Sequence, residues 1–417
     1  MNRIMKKPLV GLLGALALSP LLAVAEVTAV KASRLFDVEQ GRWVESPVVL
    51  IENERITAVG ANLPVPEGAR LIDLGGKVIL PGLIDAHVHI AGGGWGSNDG
   101  IARSVLRGAG NARRTLEAGF TTVRSMGGGN LAGVALRDAV ASGDVAGPRI
   151  FDAGTLLGVT GGHCGGRLHP DNPVPSRGNA NGAEEFVKRV REQSSFGADF
   201  IKICITGGFT SGTSPAITQF REEEVRAVVE TAHNLGLKVA VHAYSAHAVK
   251  LAVELGADSI EHGSLIDDQG IRLLKRNPQQ VVVPTLSVFG TALQRAERVG
   301  ATPAALKQLH HVLDVYMDNV RKIVRAGIPV IYGSDGPPGN NFSEFPLLVD
   351  AGLTPVQVLQ SATIRSAEFL GAAEDIGSVS VGKYADIVAY DTDPLEDIDQ
   401  FSRVSWVMKG GVVYKEQ

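Results

Sequence analysis

The sequence predicts an α/β fold: a (β/α)8 barrel carrying a small β-sandwich built from both ends of the chain. Three observations lead there. Through the middle of the chain, apolar β-branched runs alternate with helical patterns at intervals of roughly 25 to 50 residues, as βα units around a parallel sheet do. The two flanks instead read as short strands and turns. Polar residues that can do chemistry, namely His87, His89, Lys202, His242, His262 and Asp335, recur at the ends of apolar strands, which is where such barrels keep their active sites.

In the N-terminal flank, VTAVKASRLF, SPVVLIENERITAVG and ARLIDLGG alternate β-rich pieces with turns, and Glu52-Asn53-Glu54 reads as a hairpin turn. GSVSVGKYADIVAYD and VSWVMKGGVVY read the same way near the other end, so one sandwich is expected from both flanks. Barrel strands are expected near Leu83–Ile90, Thr121–Ser125, Arg149–Ala153, Phe200–Ile205, Lys238–Val241, Ser259–Glu261, Val281–Pro284 and Pro329–Gly333, the number that closes a (β/α)8 barrel. Helices are expected between them, among them Ala102–Ala118, Ala183–Phe196, Glu222–Leu235, Ala246–Leu255 and Leu306–Ala326. Glu222, Glu223 and Glu224 suit the positive end of a helix dipole. The long Gly/Pro/Asn stretch from Gly161 to Asn181 has the length and composition of a functional loop.

The first residues read as a leader. Arg3, Lys6 and Lys7 make a basic start, an apolar run follows from Leu9 to Leu18, and Ala23-Val24-Ala25 is a small-residue cleavage site. Export to the periplasm or outside is therefore expected, with an uncleaved membrane anchor as the alternative, although the run is short for a span. The expected division is a leader over 1–25, sandwich over 26–80, barrel over 81–372 and sandwich again over 373–417.

The chain has 417 residues, 44% of them hydrophobic, enough for one large barrel with an appendage. A formal net charge of −4 points to neither nucleic acid nor an anionic membrane. Of the two cysteines, Cys204 shares strand parity with Lys202 and reads as a small buried thiol; a disulfide to Cys164 is left open.

His87 and His89 lie one residue apart in VILPGLIDAHVHI, so on a strand their imidazoles project from the same face. Together with His242, His262 and Asp335 they offer the nitrogen and oxygen donors that zinc or a similar divalent ion takes. Lys202 is flanked by Phe200, Ile201, Ile203 and Ile205, and an unpaired ammonium on such a strand costs several kcal/mol. A lowered pKa, an ion-pair partner, or carboxylation of the amine by carbon dioxide would each relieve it.

Through PGLIDAHVH, TGGHC, IKI-x-x-TGG, VHAY, IEHG and GSD, the chain resembles the amidohydrolase superfamily over nearly all of its expected mature length. It is similar in particular to the binuclear branch that contains Xaa-Pro dipeptidase-like and ochratoxin-hydrolysing enzymes. The resemblance implies two divalent ions per chain, zinc first among them. Their ligands would be His87, His89, His242, His262 and Asp335, with Lys202 carboxylated as a bridge. It further implies metal-assisted hydrolysis of an amide in a small substrate such as a dipeptide, an N-acyl amino acid or an ochratoxin-like amide, and association into a homo-oligomer.

In that reading Asp335 is ligand and general base. His163 hydrogen-bonds the substrate or is a solvated loop histidine. Tyr244 donates to a substrate carboxylate or oxyanion, or packs at the barrel mouth. Arg124 and Arg167 are weaker candidates for a carboxylate clamp. His169, His233, His247, His310 and His311 are expected to carry no chemistry. Competing functions are a lactonase or cyclic amidase with the same ligands, one-metal deaminase-type chemistry, and a non-catalytic binding protein on the same scaffold.

Overall fold

The computed structural model describes residues 27–91, 100–128, 131–165, 171, 177–208 and 213–416. The expected leader and Arg167 and His169 lie outside the described residues. The chain begins with strands β1 (Val27–Lys31), β2 (Arg34–Asp37), β3 (Arg42–Glu45), β4 (Pro47–Glu52), β5 (Arg55–Ala61), β6 (Arg70–Asp73) and β7 (Val78–Pro81). It then alternates through β8 (Leu83–Val88), α1 (Ile101–Glu117), β9 (Phe120–Ser125), α2 (Ala132–Ala141), β10 (Arg149–Asp152), α3 (Ala183–Ser195), β11 (Phe200–Cys204) and α4 (Glu222–Asn234). The alternation continues through β12 (Lys238–Ser245), α5 (Ala246–Glu254), β13 (Ser259–Leu265), α6 (Asp268–Arg276), β14 (Val281–Val283), α7 (Ser287–Arg298) and α8 (Pro303–Arg325). Three short helices, α9 (Glu344–Asp350), α10 (Pro355–Ser361) and α11 (Ile364–Leu370), lead to β15 (Ile387–Tyr390), β16 (Trp406–Lys409) and β17 (Val412–Glu416). Among the described residues no helix is long and apolar enough to cross a membrane.

Both flanks contribute to one sheet. Its order is β17-β16-β15-β7-β2-β3, and β15 runs antiparallel to β7 with Ile387 opposite Pro81. A second sheet, β5-β4-β1-β6, faces it. Val30, Val49, Ile51 and Ile56 pack against Leu35, Ile79, Ile387, Trp406 and Met408 to give the sandwich its own apolar layer. The expected hairpin joins β4 to β5, with Glu52 opposite Arg55 and Asn53 at φ 57°, a left-handed conformation that asparagine tolerates.

The barrel strands are parallel. They form the runs β10-β9-β8 and β11-β12-β13-β14. Leu157 links the two runs, its N–H donating to the Lys202 carbonyl at 2.9 Å while its own carbonyl accepts from the Cys204 N–H at 3.2 Å. On the other side, Val282 N–H donates to Pro329 O, Ile331 N–H to Val282 O, and Ala86 N–H to Tyr332 O, which closes the ring. The expected eighth strand is thus an extended segment with a single bridge, Val282 to Val330, and not a full ladder. Pro329 has no N–H to give. Two strands run longer than expected: β12 reaches Ser245 and β13 reaches Leu265, so His242, Tyr244 and His262 sit inside strands.

The first turn of α4 is built more specifically than a dipole interaction would need. The buried Glu224 carboxylate accepts from Arg221 N–H at 2.8 Å and, across a loop, from Gly182 N–H at 2.7 Å, tying α4 to the start of α3.

The barrel and the C-terminal flank are joined by aromatic stacking. Phe345 on α9 lies parallel to Phe401 with centroids 3.9 Å apart and also meets Tyr332 at 4.5 Å and Phe120 at 6.5 Å, all four fully buried. Replacing Phe345 by Ala is expected to cost about 3 to 5 kcal/mol, because the ring's contacts come from two parts of the chain that cannot both collapse into the void. Chemical denaturation of the variant beside the parent measures it, and a loss under about 1 kcal/mol would show that the junction is soft.

Candidate active site

Strand β8 turns Asp85 and His87 into the barrel, and His89 follows just past its end. His87, His89 and Asp335 come together there, each presenting a ligand atom within 4.8 Å of the others. The Nε2 atoms of His87 and His89 are 3.8 and 3.7 Å from Asp335 Oδ1. Their rings adjoin those contributed by β12 and β13. His87 lies 5.2 Å from His262, and His262 lies 4.6 Å from His242, centroid to centroid. Five of the expected residues therefore line one end of the barrel.

Hydrogen bonds decide which imidazole nitrogen each histidine presents. A carbonyl or carboxylate oxygen only accepts, so the ring nitrogen facing it carries the proton. His87 Nδ1 donates to Glu261 Oε2 at 2.6 Å and His89 Nδ1 to Gly127 O at 3.0 Å. Thr285 spends its hydroxyl proton on Pro284 O at 2.6 Å and so accepts from His262 Nδ1, also at 2.6 Å. Each of these rings keeps its lone pair on Nε2. His242 is reversed, because its Nε2 donates to Gly207 O at 3.1 Å and leaves Nδ1 as the basic atom. Burial lowers the pKa of all four imidazoles, so they are neutral and able to donate to a metal.

Strand geometry departs from regularity where the chemistry sits. His262, Thr285 and Asp335 all adopt positive φ, at 72°, 55° and 48°. Simple alternation on β13 would send Glu261 and His262 to opposite faces. The left-handed turn at His262 brings both inward. Gly333 lets the last segment lie against β8, since a Cβ there would fall 2.8 Å from His87 Cβ and 2.3 Å from Val283 Cγ1.

Lys202 is 2% exposed, and its Nζ has no hydrogen-bond partner among the described residues. Burial pulls its pKa down to about 8, against the attraction of Glu261 and Asp335. A buried amine with a lowered pKa and no partner among the described residues, beside four imidazoles and a carboxylate, is the observation that fits a metal-bridging, carboxylated lysine. Asp335 is largely removed from solvent, which raises its pKa, while His87 and Lys202 pull it back.

Several expectations change. Arg124 is no substrate clamp: it is 2% exposed and committed inside the barrel, donating to Ala86 O at 2.6 Å, Ser259 Oγ at 3.0 Å and Glu261 Oε1 at 2.8 Å. Cys204 is no free thiol, because it forms a disulfide with Cys164, their Cα atoms 5.6 Å apart. His163 is not a solvated loop residue. It is 7% exposed and stacks on His242 with centroids 4.4 Å apart. Tyr244 packs edge-on to His242 at 4.7 Å and parallel to His262 at 4.8 Å. Of the histidines set aside, His233 pairs at the surface with Asp258, His247 lies on α5, and His310 and His311 lie on α8.

Two residues escaped the sequence reading. Glu261 links Arg124 to His87; burial alone would raise its pKa, yet Arg124 and His87 hold it well below the usual carboxylate range. Asp85 accepts from His87 N–H, Ser334 N–H, Ser334 Oγ and Asn341 Nδ2 at 2.6 to 3.1 Å, which fixes β8 against the segment that ends in Asp335. Asp85 shares the parity of His87 and could have been read from it. Arg124→Gln should destabilise the fold by about 3 to 5 kcal/mol, since it strands the Glu261 charge, whereas Arg124→Gln/Glu261→Gln together should recover part of the loss. Equal destabilisation in the single and double variants, measured by denaturant unfolding, would mean that the ion pair is not what Arg124 supplies.

The amidohydrolase family profile matches residues 78–413. Ochratoxinase of Aspergillus niger is 28% identical over 94% of this chain and 87% of its own. Imidazolonepropionase of Fusobacterium nucleatum is 29% identical over 82% of this chain and 84% of its own. Among solved structures, a Xaa-Pro dipeptidase with methionine bound in its active site superposes with a TM-score of 0.87 at 32% identity, covering 94% of this chain and all of that one. The chain belongs to the amidohydrolase family and is an enzyme that hydrolyses C–N bonds.

Proposed function

We propose that the protein is a binuclear metal-dependent amidase or dipeptidase that cleaves the amide bond of a small substrate such as a dipeptide or an N-acyl amino acid, the mature chain being exported. The buried Nζ of Lys202, without a hydrogen-bond partner among the described residues and close enough to His87, His242 and His262 to lower their pKa values, carries this reading. His87, His89, His242, His262 and Asp335, together with Lys202 as a carbamate, would hold the two divalent ions. When bound, the ions supply Lewis acidity to the scissile carbonyl and make a water acidic enough to lose a proton near neutral pH. Similarity to ochratoxinase and to a Xaa-Pro dipeptidase supports an amide or peptide-like substrate, and the basic, apolar and small-residue leader supports export.

The chain's own residues do the remaining work. Asp335 Oδ takes the water proton and returns it to the leaving nitrogen. The Arg124–Glu261 pair fixes the His87 tautomer so that its Nε2 lone pair faces inward. His163, whose pKa burial lowers to about 4, is a neutral donor to the substrate's carbonyl or carboxylate. Tyr244 shapes the wall against His242 and His262. One-metal chemistry of the imidazolonepropionase kind leaves the Lys202 amine without a task.

A hydrolysis screen of dipeptides and N-acyl amino acids on metal-loaded protein, read with elemental analysis, tests the reading. About two divalent ions per chain and turnover of at least one amide are expected, and lactone or ester turnover alone would redirect it. Lys202→Ala should lose most activity and at least one ion, with partial rescue by short carboxylic acids that replace the carbamate. Normal metal content in that variant would make Lys202 structural. Asp335→Asn, saturated with metal, should lose at least about 10²-fold in kcat with little change in KM, as when a group acting only in the transition state is removed. A kcat within a few-fold of the parent would move the base role elsewhere.

A further inference from the structure

The disulfide lies beside the site. Cys204 ends β11, shares its strand with Lys202, and pairs in register with His242 on β12. Its partner, Cys164, follows His163 directly in the glycine-rich segment from Gly158 to Gly165. His163 is thereby clamped at the mouth. Its ring stacks on His242 at 4.4 Å and also lies against bare backbone at Gly208, where an added Cβ would lie 2.5 Å from His163 Cε1. The segment itself is irregular. Its start is held by Gly158 N–H to Gly178 O and by Ala180 N–H to Gly158 O, and His163 N–H donates to Gln219 Oε1 at 3.0 Å. Near its end, Cys164 Sγ is bonded to Cys204 Sγ on the barrel.

We infer that the Cys164–Cys204 disulfide is a redox-sensitive clasp holding His163 against His242, and that its two-electron reduction releases His163 and lowers catalytic efficiency without dismantling the histidine and lysine cluster. Asymmetry between the two cysteines carries the second half. Cys204 is fixed on both sides by strand pairing, to Leu157 and to β12, whereas Cys164 sits in a turn. Breaking the bond therefore leaves Lys202 and His242 in place and removes the covalent hold on the segment that bears His163, which then rests on its hydrogen bonds and ring stacking alone. The chemistry is thiol–disulfide exchange. The thiolate of a dithiol reductant attacks one Sγ and the other cysteine leaves as a thiolate. The reductant's second thiol then closes its own disulfide, and Cys164 and Cys204 each end as a thiol with one proton.

The catalytic half of this inference rests on the amide-hydrolase reading; the structural half does not, so the test reads both. Metal-loaded protein is treated with diethyl pyrocarbonate before and after reduction, and also as Cys204→Ser, with modified histidines located by peptide mass spectrometry. His163 should be protected in the oxidised protein and labelled several-fold more in the other two, while His87, His242 and His262 stay protected and metal content is unchanged. On an amide substrate, kcat/KM should fall about 10-fold on reduction, as the loss of one hydrogen bond to the substrate would give, and should fall no further in a His163→Ala background. Free thiols with unchanged His163 labelling, labelling that spreads to the other three histidines, or a loss that persists in His163→Ala would each overturn it. If no amide is turned over at all, the labelling result decides the clasp and the function proposed above fails on its own account.

Discussion

The arrangement of the site depends on one buried ion pair. Arg124 and Glu261 meet at 2.8 Å where neither is reached by water, and Phe200 and Phe369 lie 5.3 and 5.0 Å from the guanidinium. Such a pair contributes little net stability, because desolvation offsets the attraction. Its value is positional. The charge on Glu261 has to be matched, and once Arg124 matches it the free carboxylate oxygen faces His87 Nδ1 and sets which nitrogen of that ring is basic. Strands β8, β9 and β13 are thus registered to one another by side chains as well as by their ladders.

Much of this was legible in the sequence, for identifiable reasons. Barrel strands are continuous apolar runs, and a histidine, lysine or aspartate at the end of one stands out against valine and isoleucine, so His87, His89, Lys202, His242, His262 and Asp335 could be picked without coordinates. The flanks were legible because turns punctuate short strands there, as Asn53 does between β4 and β5. Illegible features depend on backbone or on distance in space. Alternation alone would set Glu261 and His262 on opposite faces, and the positive φ at His262 that brings both inward leaves no mark in the sequence. Arg124 resembled a ligand-binding arginine because sequence cannot say that Glu261 waits across the barrel. The cysteine pairing needed the fold, since only the bend after Leu157 brings residue 164 back over residue 204.

The left-handed residues His262, Thr285 and Asp335 share a physical logic with the neutral histidines. Each costs conformational energy of order 1 to 3 kcal/mol and persists because the surrounding bonds over-determine it. Thr285 Oγ1 donates to Pro284 O and accepts from His262 Nδ1, and Asp335 N–H is held by His87 O at 2.8 Å. The site's precision is thus stored in main-chain geometry, and side chains of the right type alone would not reproduce it.

The six-stranded sheet of the sandwich imposes an order on biosynthesis. β7 leaves the ribosome early, yet its antiparallel neighbour β15 exists only when almost the whole barrel has been made. At 5 to 20 residues per second the wait is on the order of tens of seconds. Throughout it the nascent chain carries an apolar strand, Val78–Pro81, with one edge open. A polypeptide released short of Tyr390 keeps that edge for good, so truncated products of this gene should be recognised by chaperones and proteases as sticky remnants and not tolerated as smaller enzymes.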